Sequence, residues 1–241
     1  MGNFGKWIVG GLGWVVGGPI GGLFGFVVGS FLDNASGQTT ITSGANVTTP
    51  GAFGMSLLVL IAAVMKADGK VVKSELDFVK QFFARQFGQE NASEALRMLR
   101  DLLKQDIPLR DVCLQITRNM DYASRLQLMH LLFGVAAADN KLHPSEIKVI
   151  ETISGFLNIS SSDYLSLRNM FIPETDSAYK ILEIDPSSTD EEVKKGYRKM
   201  ALKYHPDKVS HLGEDFRKAA DEKFKKMNEA YEKIKKERNI I

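Results

Sequence analysis

The residues of this sequence best equipped for chemistry are His205, Pro206 and Asp207, an imidazole and a carboxylate on either side of a proline. Pro206 fixes its own φ and disfavours helical geometry at His205, so the tripeptide forms a loop that presents its side chains at low ordering cost. Acid–base catalysis is one use for such a pair. It is disfavoured here, because the two residues flank a proline on an exposed loop with no nucleophile or pocket motif nearby. Recognition fits better. Lys194, Lys195, Arg198, Lys199 and Lys203 of the preceding stretch EEVKKGYRKMALKYHPDK fall on one helical arc, broken only by Leu202, and give a positive face beside Asp207 suited to an acidic partner. No catalytic residue is assigned, and the chain is read as a binding protein that is not an enzyme.

A second set of candidates lies in an internal repeat. Ala67-Asp68-Gly69-Lys70 followed by Ser74-Glu75-Leu76 is echoed by Ala138-Asp139-Asn140-Lys141 followed by Ser145-Glu146-Ile147. Asp68, Glu75, Asp139 and Glu146 carry two readings. If the halves pack about a pseudo-twofold axis, the four carboxylates make a hard oxygen site for a divalent cation such as Ca²⁺. Alternatively the glutamates favour helix N-termini through the helix dipole while the aspartates serve the turns. An EF-hand is a poor match, since seven residues separate Asp from Glu where that loop needs about eleven. His130, within LMHLLF, reads as a core residue, and His143 adds little.

The elements that position these residues are helical. Between residues 53 and 172, apolar positions recur at three- and four-residue spacing in FGMSLLVLIAAVM, ELDFVKQFF, ALRMLRDLL, RLQLMHLLFGVAA and EIKVIETISGFL, which predicts an all-α bundle of two similar halves. Each half reads as a helix closed at Gly69 or Asn140, then a helix opened near Ser74 or Ser145. Residues 173–176 are a short linker. Beyond it, Val193, Tyr197, Met200, Ala201 and Tyr204 form one apolar stripe and Phe216, Ala220, Phe224, Met227 and Tyr231 another, which predicts an antiparallel helical hairpin within 177–241.

The amino end differs in kind. Residues 7–32 carry no charge, and as a helix would reach roughly 39 Å against a hydrocarbon core of about 30 Å. Residues 1–32 are therefore read as a membrane segment in contact with lipid. Gly13, Gly17, Gly21, Gly25 and Gly29 recur at every fourth position, a face on which a second helix approaches closely, as in a homo-oligomer. Residues 33–52, rich in Ser, Thr, Gly and Asn, read as a flexible tether. The net charge of +2 among 241 residues argues against nucleic acid as a partner, and Cys113, the sole cysteine, fits a reducing compartment. Loop charge pulls the other way, because Lys6 precedes the apolar run while no Lys or Arg follows it until Lys66. A break at Gly17-Gly18-Pro19 would reconcile the two as a re-entrant hairpin with both ends cytoplasmic.

Three resemblances cover these segments. The pattern from AYKILEI through the His-Pro-Asp loop to KFKKMNEAYEKI resembles the J-domain of the DnaJ family. That resemblance implies that the chain binds a DnaK-type heat-shock chaperone and stimulates its ATP hydrolysis, with Asp207 engaging an arginine of that partner while His205 and Pro206 shape the loop. It requires no cofactor of this chain. Gly196 stands where J-domains commonly have alanine, which predicts a looser helix. The repeat, ADGxxxxxE with its degenerate copy ADNxxxxxE, resembles the TerB-like family and leaves a divalent cation there as an expectation. The order of glycine-rich apolar segment, TerB-like bundle and J-domain resembles the membrane-anchored, DjlA-like branch of the DnaJ family, which implies a bacterial inner-membrane location with the soluble domains facing the cytoplasm. A competing expectation is a metal- or envelope-stress-sensing protein acting mainly through the TerB-like repeat. Neither the glycine/phenylalanine-rich stretch nor the CxxC repeats of full-length DnaJ occur in this sequence, so client holding is not expected.

Overall fold

The computed structural model describes residues 18–24, 49–67, 69–139, 142–172 and 177–240. Every regular element among them is helical. Two helices are apolar nearly all round and form the buried centre: α1 (Pro50–Met65) and α5 (Tyr122–Ala136). Around them pack the amphipathic α2 (Lys73–Phe87), α3 (Gln89–Leu102), α4 (Leu109–Asn119), α6 (Pro144–Phe156) and α7 (Ser161–Phe171). The α1–α3 unit recurs 71 residues later as α5–α7, with α4 between them, so the sequence repeat corresponds to two three-helix halves. Close approach is local: a Cβ on Gly134 of α5 would lie 3.0 Å from Cζ of Phe78.

Starts and stops follow the local chemistry. Thr49 caps α1, its hydroxyl accepting from the Ala52 N–H at 3.2 Å, with Pro50 in the first turn. The helix thus begins three residues inside the stretch read as tether, because burial of Gly51 and Ala52 rewards the extra turn. Gly69 follows α1 with φ of +73°, a conformation that favours glycine.

The carboxyl-terminal unit comprises α8 (Ser177–Ile181), α9 (Asp190–Lys203), a 3₁₀ turn (Pro206–Leu212) and α10 (Glu214–Arg238). Thr189 and Glu192 cap α9 reciprocally, the Thr189 N–H donating to the carboxylate at 2.7 Å and the Glu192 N–H to the hydroxyl at 3.3 Å. Arg238 ties the end of α10 to α8, its Nε donating to the Tyr179 hydroxyl at 2.8 Å. The unit does not stand apart from the bundle. α10 packs on α2, α5 and α7, the 3₁₀ turn on α1 and α5, and α8 on α7. At the centre of this interface the Phe216 ring lies 4.5, 5.5 and 6.3 Å from the rings of Phe53, Phe82 and Phe87.

A helix running unbroken through residues 7–32 is not what forms. Gly18 has φ of +117°, which interrupts a helix at that point, and among the described residues a helical stretch begins at Pro19. Within residues 19–24, Ile20, Leu23 and Phe24 are buried, and the Ile20 N–H donates to Oε1 of Gln115 at 2.9 Å. Of the glycine series only Gly21 lies among the described residues; Gly13, Gly17, Gly25 and Gly29 lie outside them.

Candidate functional site

The two predicted stripes face one another. Val193, Met200 and Tyr204 of the first are buried, as are Phe216, Ala220 and Met227 of the second, while Tyr197 stacks on Tyr231 at 4.1 Å and donates from its hydroxyl to Asn228 at 3.1 Å. Gly196 has a packing reason that overturns the expectation of a looser helix: an added Cβ would sit 2.6 Å from Cγ2 of Ile184. Glycine lets α9 close onto the segment after α8.

The opposite arc of α9 is cationic. Lys195 and Arg198 are exposed. Lys194 lies 3.8 Å from Glu191, a surface pair that contributes little to stability, and the exposed Lys199 lies 3.2 Å from the largely buried carboxylate of Glu183. Leu202 is 70% exposed within this face. Lys203 turns inward instead, to Asp163 at 2.6 Å and Glu183 at 3.0 Å.

The loop itself is a compact turn. His205 is extended, with φ of −60° and ψ of 131°, and its Nδ1 accepts from the Asp207 N–H at 3.3 Å. Its ring meets Phe224 edge-on at 6.0 Å. Pro206 is buried and opens the 3₁₀ turn, and Ser210 donates to the Asp207 carbonyl at 2.7 Å. The Asp207 side chain is 76% exposed. A carboxylate held out by a folded turn beside exposed cations is equipped to bind.

Sequence reasoning missed the residue that holds the loop's base. Asp163, 1% exposed, opens α7 on the bundle; its Oδ1 accepts from Tyr204 at 2.7 Å and Lys203 at 2.6 Å, its Oδ2 from Tyr122 and Ser160, both at 2.6 Å. Desolvation works to raise the pKa of this carboxyl, but the four donors outweigh it and hold the group below the usual carboxylate range. Burial, reinforced by the same anion, drives the pKa of the Tyr204 hydroxyl well above its ordinary value. Ser160 and Asp163 also form an ordinary helix start: the Ser160 hydroxyl accepts from the Asp163 N–H at 3.2 Å.

Of the repeat's carboxylates, Glu75 and Glu146 occupy equivalent places. Glu75 accepts from the Val72 N–H at 3.1 Å and Glu146 from the His143 N–H at 3.0 Å, so both are buried caps of their own helices. Asp139 is half-buried, and Asp68 lies outside the described residues. Among the described residues no group of three His, Cys, Asp or Glu side chains gathers as a metal cage would require. His130 is a core residue, its ring tilted against Phe171 at 5.0 Å, and is driven well below its ordinary pKa by burial and by the charges of Lys223 and Lys226.

Three family profiles match in tandem: the Co-chaperone DjlA transmembrane domain over residues 1–39, Tellurite resistance protein TerB over 55–169, and the DnaJ domain over 177–240. The chain is 24% identical to the Co-chaperone protein DjlA of Coxiella burnetii over 95% of its own length and 96% of the relative's. It is 28% identical to that of Vibrio parahaemolyticus over 76% and 77%. The chain is a DjlA-like protein of the DnaJ family. A Chaperone protein DnaJ of Fusobacterium nucleatum is 50% identical over 54 residues, 22% of this chain and 14% of that protein, so likeness to full-length DnaJ ends with the J-domain. No solved structure matches the DjlA-like chain. Its carboxyl-terminal unit is thus a J-domain seated on a TerB-like bundle, and its amino end is of a membrane-anchoring type. Among the described residues no helix is long and apolar enough to cross a membrane.

Proposed function

We propose that this chain is a membrane-tethered co-chaperone that binds a DnaK-type chaperone through the His205-Pro206-Asp207 loop and the Lys194, Lys195, Arg198 and Lys199 face, and stimulates its ATP hydrolysis. The observation that carries the reading is the exposed Asp207 carboxylate on a folded turn beside that face, within a J-domain arranged as in DjlA co-chaperones. The hydrolytic groups belong to the partner. This chain supplies a contact that favours one conformation of the chaperone over another, which is how a binding protein accelerates a reaction it does not catalyse. Steady-state ATPase measurements on a purified DnaK-type chaperone test this directly. Wild-type chain raises the rate, His205→Gln and Asp207→Asn abolish most of the rise, and equal stimulation by all three refutes the proposal.

The tether places the bundle and J-domain on the cytoplasmic side of a bacterial inner membrane, where ATP and the partner chaperone reside. The break at Gly18-Pro19 supports a re-entrant arrangement. Labelling of cysteines engineered at positions 3 and 40 distinguishes the arrangements. Both sites react from the cytoplasmic side in a hairpin, whereas a single span exposes them on opposite sides.

A further inference from the structure

We infer that Asp163 of the TerB-like bundle is a positioning residue for the chaperone-binding loop, gripping it through Tyr204 and Lys203 so that the bundle sets the loop's readiness to bind. The inference rests on the proposed co-chaperone reading. Tyr204 and Lys203 immediately precede His205, and both donate to one oxygen of Asp163. The other oxygen is held by Tyr122 and Ser160 of the bundle, so the carboxylate is fixed from both sides.

The far flank of the loop is held independently. Val209 and Leu212 are buried, and Nε2 of His211 lies 3.4 Å from both Oδ2 of Asp121 and the Ser124 hydroxyl. Asp121 and Tyr122 are consecutive residues at the start of α5. One helix end therefore reaches both flanks, Tyr122 through Asp163 and Asp121 through His211. Between these grips the chain exposes His205, Asp207, Lys208 and Ser210. A loop ordered in this way meets its conformational entropy cost during folding, which leaves more of the contact energy for affinity.

The test uses the full chain in detergent. Asp163→Asn keeps the shape but can no longer accept from all four donors, and Lys203 retains Glu183 at 3.0 Å; Tyr204→Phe removes a single hydroxyl. In the ATPase assay, run where circular dichroism shows the variants as helical as the wild type, Asp163→Asn raises the concentration for half-maximal stimulation by about tenfold and Tyr204→Phe does so less. Maximal stimulation stays near wild type, and backbone amides of residues 205–212 exchange faster. A merely structural role moves the unfolding midpoint alone. Unchanged half-maximal concentrations alongside a stimulating wild type overturn the inference, and so does unchanged amide exchange, whether or not the wild type stimulates. Absence of stimulation by the wild type refutes the co-chaperone proposal instead.

Discussion

Lys223 of α10 offers the sharpest energetic test of how the J-domain sits on the bundle. Its side chain is 3% exposed, with Nζ 3.3 Å from Oε1 of Gln127 and 4.6 Å from the centre of the Tyr204 ring. Burial pushes the amine from 10.5 down to about 7, against a weaker pull from Asp163. Below pH 7 the amine is charged in the folded and unfolded states alike, and stability lies on its lower plateau. Between pH 7 and 10.5 the unfolded chain holds a proton that the folded chain has released, so stability rises with pH. At about 1.36 kcal/mol for each tenfold change, the full window corresponds to about 5 kcal/mol and the part from pH 7 to 9 to about 3 kcal/mol. Lys223→Met keeps an unbranched stem and removes the charge. It stabilises the chain most near pH 7, less about 1 kcal/mol for the hydrogen bond to Gln127, and the advantage over wild type shrinks steadily toward pH 9. Urea unfolding followed by fluorescence across this range measures the difference. The range avoids His130, whose depressed basicity costs stability only below pH 6.5, and Cys113, whose raised thiol costs stability above pH 9. Parallel stability–pH curves for wild type and variant would refute the reasoning.

Three other substitutions test the packing. Phe216→Ala removes the ring that meets Phe53, Phe82 and Phe87, and lowers the unfolding free energy by about 3–5 kcal/mol in urea titration; a loss under 1 kcal/mol would mean the J-domain is not seated there. Gly196→Ala gains about 1 kcal/mol of helix propensity but forces a contact with Cγ2 of Ile184 that costs about 1–3 kcal/mol, so the net effect in thermal melts is a loss. Adding Ile184→Leu, which moves the branch off Cβ, recovers it. Cys113 is buried and its thiol is pushed up to about 12, so a thiol reagent at pH 8 labels it only at the rate of unfolding, and prompt labelling of the folded chain contradicts its placement.

What the sequence discloses divides along a physical line. Periodicity and caps depend on neighbours within about one or two turns, so the all-α class, the repeated halves and the two facing stripes were readable, as was the exposed turn at Pro206. Residues whose partners lie far along the chain were not. Asp163 has the local signature of a first-turn acid after Ser160, yet Tyr122 and Tyr204 each lie 41 residues from it. Phe216 belongs to the hairpin's apolar stripe by spacing, but it turns to the bundle, a choice that depends on Phe53 and Phe87. Gly196 reads as weakness by propensity alone, because the Ile184 methyl it accommodates comes from another segment.

The basic arc of α9 carries the same lesson into recognition. A helical wheel counts five cations as equals, but a partner meets them unequally. Lys195 and Arg198 stand exposed, and Lys194 holds a surface pair that counts for about 0–1 kcal/mol, so these three can turn to an acidic partner at little cost. Lys199 is exposed but shares the buried Glu183 carboxylate with Lys203, which keeps that anion paired when Lys199 turns away. Lys203 cannot do so on those terms. Its ammonium lies between Asp163 and Glu183, carboxylates only 1% and 4% exposed, and withdrawing it would strip a buried anion of its cation. Beside the His205-Pro206-Asp207 loop, the fifth cation therefore anchors the helix end to the bundle, and the face proposed for the chaperone consists of the other four with Leu202 among them.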